Sequence, residues 1–347
     1  MSADQLAAAA AELEDWSRTR DWSGSVLLTQ RGETLLEVCA GAADRAAHVP
    51  VRPETRFALA SVTKMFTAVA VVDQVAAGRL TFDTPVVDVL PPERRPSTLL
   101  PEVTVHHLLC HTSGIADYAE EEPPDGSEEI DYAELWVDRP TYSMQRPADF
   151  LPLFADLPPY WSPGEKYWYS NAGYVLLGLV LEELGGAPYT ELVQSRVLDR
   201  AGMADTGFFR LDEPVPDLAV GYLRQDDRTW RSNHFSTPVV GGADGGAQST
   251  CRDLDRFLTQ YDDGTLLGDL HDTVVHRHAD AGDGFSYGYG VLLHPDGRLG
   301  HGGGDPGVEA SVFRWPDEEA NLVVLANTEG HVMDVRDLVL DAWRASP

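Results

Sequence analysis

Ser61 and Lys64 lie three residues apart at the start of an apolar run from Ala58 to Ala77. Apolar residues recur in this run at helical spacing, which predicts a helix packed on one face. Residues three apart share a helix face, so the lysine amine is expected beside the serine hydroxyl. Serine is a weak nucleophile, and a lysine can act as its base if its pKa is lowered. The pair therefore predicts a hydroxyl nucleophile activated by an amine.

The same spacing also fits an N-cap serine followed by a solvated lysine. One observation favours the chemical interpretation. Lys64 and Lys166 are the only lysines among 26 basic residues, and an amine can lose a proton where a guanidinium cannot. The start of a helix also directs backbone N–H groups toward a developing oxyanion.

Two later segments carry side chains suited to the same chemistry. Tyr169 and Asn171 lie on a loop at the start of an apolar helix predicted over Ala172–Leu184. A phenol and a carboxamide two residues apart can move a proton and hold a polar group. His301-Gly302-Gly303-Gly304 lies between two strand-like runs, where glycines let a backbone edge approach a ligand closely.

Ser-x-x-Lys, Tyr-x-Asn and His-Gly-Gly, in this order, resemble the serine β-lactamase and penicillin-binding-protein superfamily. The match is closest to its class C β-lactamase-like branch, which contains esterases and D-amino-acid peptidases. Three further stretches resemble the same branch, namely Leu108–Gly114, Gly245–Thr250 and Tyr287–Gly290.

The resemblance implies a role for each matching residue. Ser61 would be the acylated nucleophile, Lys64 its partner in proton transfer, and Tyr169 the second general acid and base. Asn171 would hold the acyl-side amide or ester of the substrate. The backbone N–H groups of Ser61 and Gly304 would form the oxyanion hole.

The third element departs from the pattern of relatives. His301 and Gly302 stand where many relatives have the lysine and threonine of Lys-Thr-Gly, which grip a substrate carboxylate. Histidine is cationic only part of the time at neutral pH, and glycine has no hydroxyl. The substitutions predict weak recognition of penicillin-type carboxylates.

The resemblance thus implies a serine hydrolase that acts through an acyl-enzyme on a small ester, amide or β-lactam. We rank small esters and short D-amino-acid amides above β-lactams. The alternative is a slow-turnover penicillin-binding protein or a non-catalytic scaffold. The four intact residues Ser61, Lys64, Tyr169 and Asn171 argue against a scaffold, whereas a slowly deacylating binder would have the same sequence.

Composition narrows the range of partners. A formal charge of −30 over 347 residues excludes polyanion binding as a main task, so no nucleic acid partner is expected. No metal site is predicted. The three cysteines are widely spaced, and His107 and His111 have no third ligand at a suitable spacing. Gly302–Gly307 satisfies G-x-G-x-x-G, but a strand is predicted after it, so no dinucleotide cofactor is expected.

No signal peptide or transmembrane run is visible, so we expect a cytoplasmic protein without a membrane partner. The expected partner is a small-molecule substrate. The oligomeric state cannot be read from the sequence.

The predicted fold class is α+β, with a β-lactamase-like antiparallel sheet flanked by helices and an inserted, mostly helical region. Residues 1–80 and 282–347 would build the sheet, residues 81–281 would be mostly helical, and the active site would lie at their junction. Strands are predicted at Ser25–Thr29, Thr34–Ala40, Tyr287–Leu293, Leu299–Gly300, Val308–Trp315 and Asn321–Ala326. Helices are predicted before Trp16 and at Asp334–Trp343.

The acidic stretch Tyr118–Trp136 is interpreted as a solvated surface excursion. The functional alternative is a lid over the pocket that selects neutral or cationic groups.

Overall fold

The computed structural model describes residues 3–120 and 135–345. Its largest sheet has eight antiparallel strands in the order β2-β1-β14-β13-β12-β11-β10-β9. These strands are β1 (Gly24–Gln30), β2 (Glu33–Ala40), β9 (Ala279–Gly282), β10 (Phe285–Tyr287), β11 (Leu292–Leu293), β12 (Leu299–Asp305), β13 (Val308–Trp315) and β14 (Ala320–Ala326). The strands come from both ends of the described chain, which confirms the predicted antiparallel sheet.

The remaining elements surround this sheet or extend from it. The helices are α1 (Ala3–Thr19), α2 (Thr63–Ala76), α3 (Val86–Val89), α4 (Val105–Leu109), α5 (Pro147–Phe154), α6 (Asn171–Gly185), α7 (Tyr189–Val193), α8 (Asp199–Ala201), α9 (Cys251–Asp262), α10 (His271–Val274) and α11 (Val332–Arg344). Short strand pairs are β3 (Ala42–Asp44) with β4 (Val49–Pro50), β5 (Phe57–Ala58) with β8 (Gln248–Ser249), and β6 (Tyr222–Arg224) with β7 (Trp230–Ser232).

Helices cover both faces of the sheet, which explains why its central strands are apolar at successive positions. Every residue of β14 is buried. Val324 packs in a core with α1 and α11, whereas its neighbour Val323 packs in the core that contains α2, α6 and α9. Successive side chains of a strand point to opposite faces, so one strand supplies both cores.

Two predicted strand boundaries differ from the structure. The run predicted as one strand over Tyr287–Leu293 forms β10 and β11, because the intervening residues turn and Gly290 adopts a φ of +72°. The strand predicted at Leu299–Gly300 continues to Asp305, since β13 pairs with all seven of its residues. His301–Gly304 therefore lies within a strand.

The acidic stretch is buried where the structure describes it. Tyr118, Glu120 and Trp136 are all buried, so the solvated interpretation is wrong for these residues. The central part, residues 121–134, lies outside the described residues. The lid interpretation concerns this part and stays a prediction.

The division at residues 80 and 281 remains a prediction. Helix α9, from the region predicted as mostly helical, packs against β1 and β14 of the sheet. Within the described ranges, none of the helices combines the length and the apolar character that crossing a bilayer would require.

Candidate active site

Ser61 is presented by a tight turn at the start of α2. A 3-10 turn spans Ala60–Val62, and Ala60 has a φ of +45°, a left-handed conformation that is rare for a residue with a Cβ. Neighbouring backbone holds this conformation, because Leu59 N donates to Ala247 O (2.8 Å) and Gly246 N donates to Ala60 O (3.3 Å). Strained backbone that its surroundings hold in place is typical of functional sites.

Lys64 lies fully buried beside Ser61, one turn along. Its Nζ is 3.0 Å from Ser61 Oγ, 2.7 Å from Asn171 Oδ1 and 2.6 Å from the main-chain oxygen of Asp244. The last two groups are carbonyl oxygens and can only accept hydrogen bonds. A neutral amine that donates to both would direct its lone pair toward the Ser61 hydroxyl, which is the arrangement a general base needs.

Asn171 links this amine to a carboxylate that the sequence analysis missed. Ser170 caps the start of α6, and the Asn171 amide then donates from Nδ2 to Asp117 Oδ2 at 2.9 Å. The Ala172 N–H donates to the other oxygen of Asp117 at 2.7 Å. Burial raises the pKa of the Asp117 carboxyl to about 7. The only sequence signal for Asp117 is one acidic residue in an otherwise apolar run.

Replacing Asp117 with asparagine should lower kcat by roughly 10- to 100-fold. In either orientation the new amide presents an NH2 group to one of the two donors, which leaves a buried donor unsatisfied and disturbs Asn171. Ester hydrolysis by D117N can be compared with D212N, which changes an exposed aspartate. A D117N enzyme within twofold of the parent would contradict this role.

Tyr169 lies on the loop before α6, with its ring against the active-site lysine. Lys64 Nζ is 4.8 Å from the centroid of the Tyr169 ring. The same ring packs on His111, with centroids 4.4 Å apart. His111 is buried, and its Nδ1 accepts from Ser170 N. Burial holds the pKa of His111 well below its usual value. His111 is thus a neutral packing residue.

Strand β12 presents an edge to the turn that carries Ser61. On the side opposite β13, no described strand pairs with His301–Gly304, since β11 pairs only with Leu299 and Gly300. A Cβ at Gly303 would lie 2.3 Å from Leu59 O and 3.1 Å from Ser61 N. Only glycine permits this approach, which brings the strand edge against the Ser61 backbone.

Both ring nitrogens of His301 form hydrogen bonds within the protein. Its Nδ1 donates to Gly302 O, so Nε2 is the nitrogen that accepts from the Tyr287 hydroxyl at 2.8 Å. Burial lowers the pKa of His301 to about 4. The side chain is therefore neutral near pH 7 and supplies no cation to a substrate carboxylate.

A cavity of about 810 Å³ opens over these groups. Of the predicted site residues, Ser61, Asn171 and Gly304 line it. Lys64 lies behind Ser61, Tyr169 is half-buried beside Lys64, and His301 is buried. Gly302 is half-buried in β12 beside His301. The roles assigned to all seven residues remain predictions.

Asp244 is a second acidic residue at the site. It lines the cavity, and its Oδ2 accepts from the Tyr118 hydroxyl. Burial holds the pKa of the Asp244 carboxyl above its usual value, and the hydrogen bond from Tyr118 offsets part of that rise. In the part of the chain that the structure describes, no cluster of potential metal ligands is found.

Comparisons with known proteins agree with this geometry. The sequence profile of the Beta-lactamase family matches residues 13–343. Esterase EstB from Burkholderia gladioli is 37% identical over 195 residues, which cover 55% of this chain and 48% of the esterase.

Solved structures match over nearly the full length. The penicillin binding protein from Bacillus halodurans is 36% identical with a TM-score of 0.88, covering 94% of this chain and 99% of that chain. The D-amino acid amidase from Ochrobactrum anthropi SV3, solved in complex with D-phenylalanine, is 25% identical with a TM-score of 0.78, covering 99% of each chain.

Proposed function

Since this chain belongs to the beta-lactamase family, we propose that it is a serine hydrolase that cleaves small esters and short D-amino-acid amides through an acyl-enzyme on Ser61. The observation that carries the proposal is the position of the Lys64 amine, 3.0 Å from Ser61 Oγ and held there by two carbonyl oxygens. This geometry suits a base that removes the hydroxyl proton during attack.

In the acylation step, Ser61 Oγ attacks the substrate carbonyl carbon as its proton passes to Lys64 Nζ. The carbonyl oxygen becomes an oxyanion, which the backbone N–H groups of Ser61 and Gly304 stabilise. The tetrahedral intermediate collapses, and the leaving alcohol or amine takes a proton from the Lys64 and Tyr169 pair. The product is an ester between the acyl group and Ser61.

Deacylation reverses the roles. A water molecule enters the cavity and attacks the acyl carbon, and Tyr169 or Lys64 accepts its proton. The oxyanion again lies at the two N–H groups, and collapse returns a proton to Ser61 Oγ with release of the acid. The same groups therefore serve both halves of the reaction.

The charges at the site favour neutral esters and amides as substrates over β-lactams that carry a carboxylate. His301 is neutral near pH 7, because burial lowers its pKa to about 4. A net charge of −30 adds a field that repels anions at modest ionic strength. The named activities of two relatives, an esterase and a D-amino acid amidase, fit this preference.

A panel of reagents tests the proposal. We expect a fluorophosphonate to add once to Ser61 and p-nitrophenyl acetate to turn over, with kcat/KM for benzylpenicillin and a cephalosporin at least about a hundredfold lower. Loss of the charge-assisted contact to the carboxylate accounts for that factor. Intact-protein mass spectrometry and product release provide the readouts.

Each of the other outcomes would indicate a different function. Rapid cephalosporin hydrolysis would identify a true β-lactamase, and a persistent penicillin adduct without turnover would identify a slow-turnover binder. Absence of any adduct would contradict acyl-enzyme chemistry altogether.

A further inference from the structure

Residues 243–247 form a loop that bonds both to Lys64 and to the turn that carries Ser61. The main-chain oxygen of Asp244, in this loop, accepts from Lys64 Nζ at 2.6 Å. Two backbone hydrogen bonds join the far end of the loop to the turn before α2. The position of the amine relative to the serine therefore depends on where this loop lies.

Helix α2 holds the loop through the hydroxyl groups of two threonines. Thr67 Oγ1 donates to Ala243 O at 2.6 Å, one residue before the oxygen that binds Lys64. At the other end of the loop, Ala247 N donates to Thr63 Oγ1 at 3.0 Å. The two threonines are fully buried and lie four residues apart, on one face of α2. They anchor both ends of the loop to the helix that carries Lys64.

A tyrosine of α7 sets the direction of the Thr67 hydroxyl. The Ala243 oxygen can only accept, so the Thr67 proton points to it, and Thr67 Oγ1 accepts from the Tyr189 hydroxyl at 2.7 Å. All three residues are at most 1% exposed. Consecutive hydrogen bonds that share a hydroxyl polarise one another. Because solvent is excluded here, water does not readily replace a donor that is lost.

Lys64 depends on the loop for one of its two carbonyl acceptors. Asn171 Oδ1 supplies the other at 2.7 Å, and the same Nζ lies 3.0 Å from Ser61 Oγ. A general base must lie within hydrogen-bond reach of the proton that it removes. A misplacement of about 1 Å at a reacting group can cost about a hundredfold in rate. A shift of the Asp244 carbonyl would therefore turn the amine away from the serine hydroxyl.

We propose that Thr67 is a positioning residue for the general base, supported from α7 by Tyr189. The Thr67 hydroxyl fixes the Ala243 carbonyl and with it the neighbouring Asp244 carbonyl, which directs the Lys64 amine toward the nucleophile. Thr67 acts through Lys64 and is not itself a catalytic group. This inference rests on the proposed function, in which Lys64 is the base.

The test measures the rate of fluorophosphonate addition to Ser61 and kcat/KM for p-nitrophenyl acetate, both of which report attack by the serine. T67V keeps the shape of the threonine and removes its hydroxyl. We expect both rates to fall by at least about fivefold in T67V. T67S keeps the hydroxyl and should lie within about twofold of the parent. If T67V does not fold by circular dichroism, T67A and T67S, which differ by one oxygen atom, make the same comparison.

A double-mutant cycle separates positioning from a general structural effect. If Thr67 acts through the amine, T67V should lower the labelling rate by less than about twofold when K64M is already present. Long incubations followed by intact-protein mass spectrometry measure these slow rates. T29V is the matched control, because Thr29 is a buried threonine of β1 whose hydroxyl donates to Asp255. It should retain the parent's labelling rate, whatever its thermal stability.

Each contrary result has its own meaning. A smaller loss in T67V than about fivefold, or an equal loss in T67S, would overturn the role of the Thr67 hydroxyl. Equal losses in the parent and K64M backgrounds would overturn its action through Lys64. Absence of any Ser61 adduct in the parent would overturn the proposed function, and this inference with it.

Discussion

Replacing Ser61 with alanine should abolish the fluorophosphonate adduct and lower kcat/KM for p-nitrophenyl acetate by at least about a thousandfold. Without Oγ no acyl-enzyme can form, and water would have to attack the bound ester directly. The remaining rate would come from the N–H groups of the oxyanion hole and from substrate binding. Mass spectrometry of the labelled protein and steady-state ester hydrolysis measure the two effects.

S195A is the matched control, because Ser195 is an exposed serine whose hydroxyl donates to the main-chain oxygens of Glu191 and Leu192. It should retain both labelling and activity. Ser61 is half-buried, and its removal deletes one hydroxyl, so S61A should keep the parent's circular dichroism spectrum. A folded S61A enzyme within tenfold of the parent would rule out the serine mechanism.

Changing Lys64 should have an effect of similar size. K64M removes the amine. K64R keeps a positive charge, but on a guanidinium that does not lose its proton and cannot act as a base. If Lys64 acts as a base, both variants should lose about a thousandfold in kcat, since members of one catalytic unit are not additive. The rate of acylation, followed as a burst of p-nitrophenol, separates this step from deacylation.

The second lysine of the chain provides the control. Lys166 is exposed, and its Nζ lies 3.6 Å from the centroid of the Trp161 ring. K166M should therefore retain activity. Thermal unfolding of each variant shows whether loss of the buried amine also lowers stability. Activity in K64R within tenfold of the parent would mean that charge alone suffices and that Lys64 is not the base.

Much of the sheet could be predicted from local pattern. The runs that became β1, β2, β13 and β14 are apolar and β-branched, and each is bounded by turn residues. Helix α6 was predicted within one residue at either end, because its apolar run is continuous. The pattern failed at Tyr287–Leu293, where glycines turn the chain, and at His301–Gly304, where pairing with β13 outweighs weak strand propensity.

Some contacts of the candidate site could likewise be predicted from local pattern, and others could not. Ser61 and Lys64 are one helical turn apart, so their contact follows from the periodicity of the helix alone. Asp117 carries no motif, and its contact with Asn171 joins residues 54 positions apart. The contact between the Asp244 main-chain oxygen and Lys64 has no signature in the sequence either.

The sequence by itself predicted the serine and its neighbouring amine as a pair and the central strands as extended runs, because each of these depends on residues close together in the chain. Tertiary structure decided the environment of these groups. It brought Asn171 and Asp244 to Lys64 across 107 and 180 residues, and it buried His301 deeply enough to keep it neutral. Burial and long-range contacts depend on how the whole chain packs, and they set the charge and hydrogen bonding at the site.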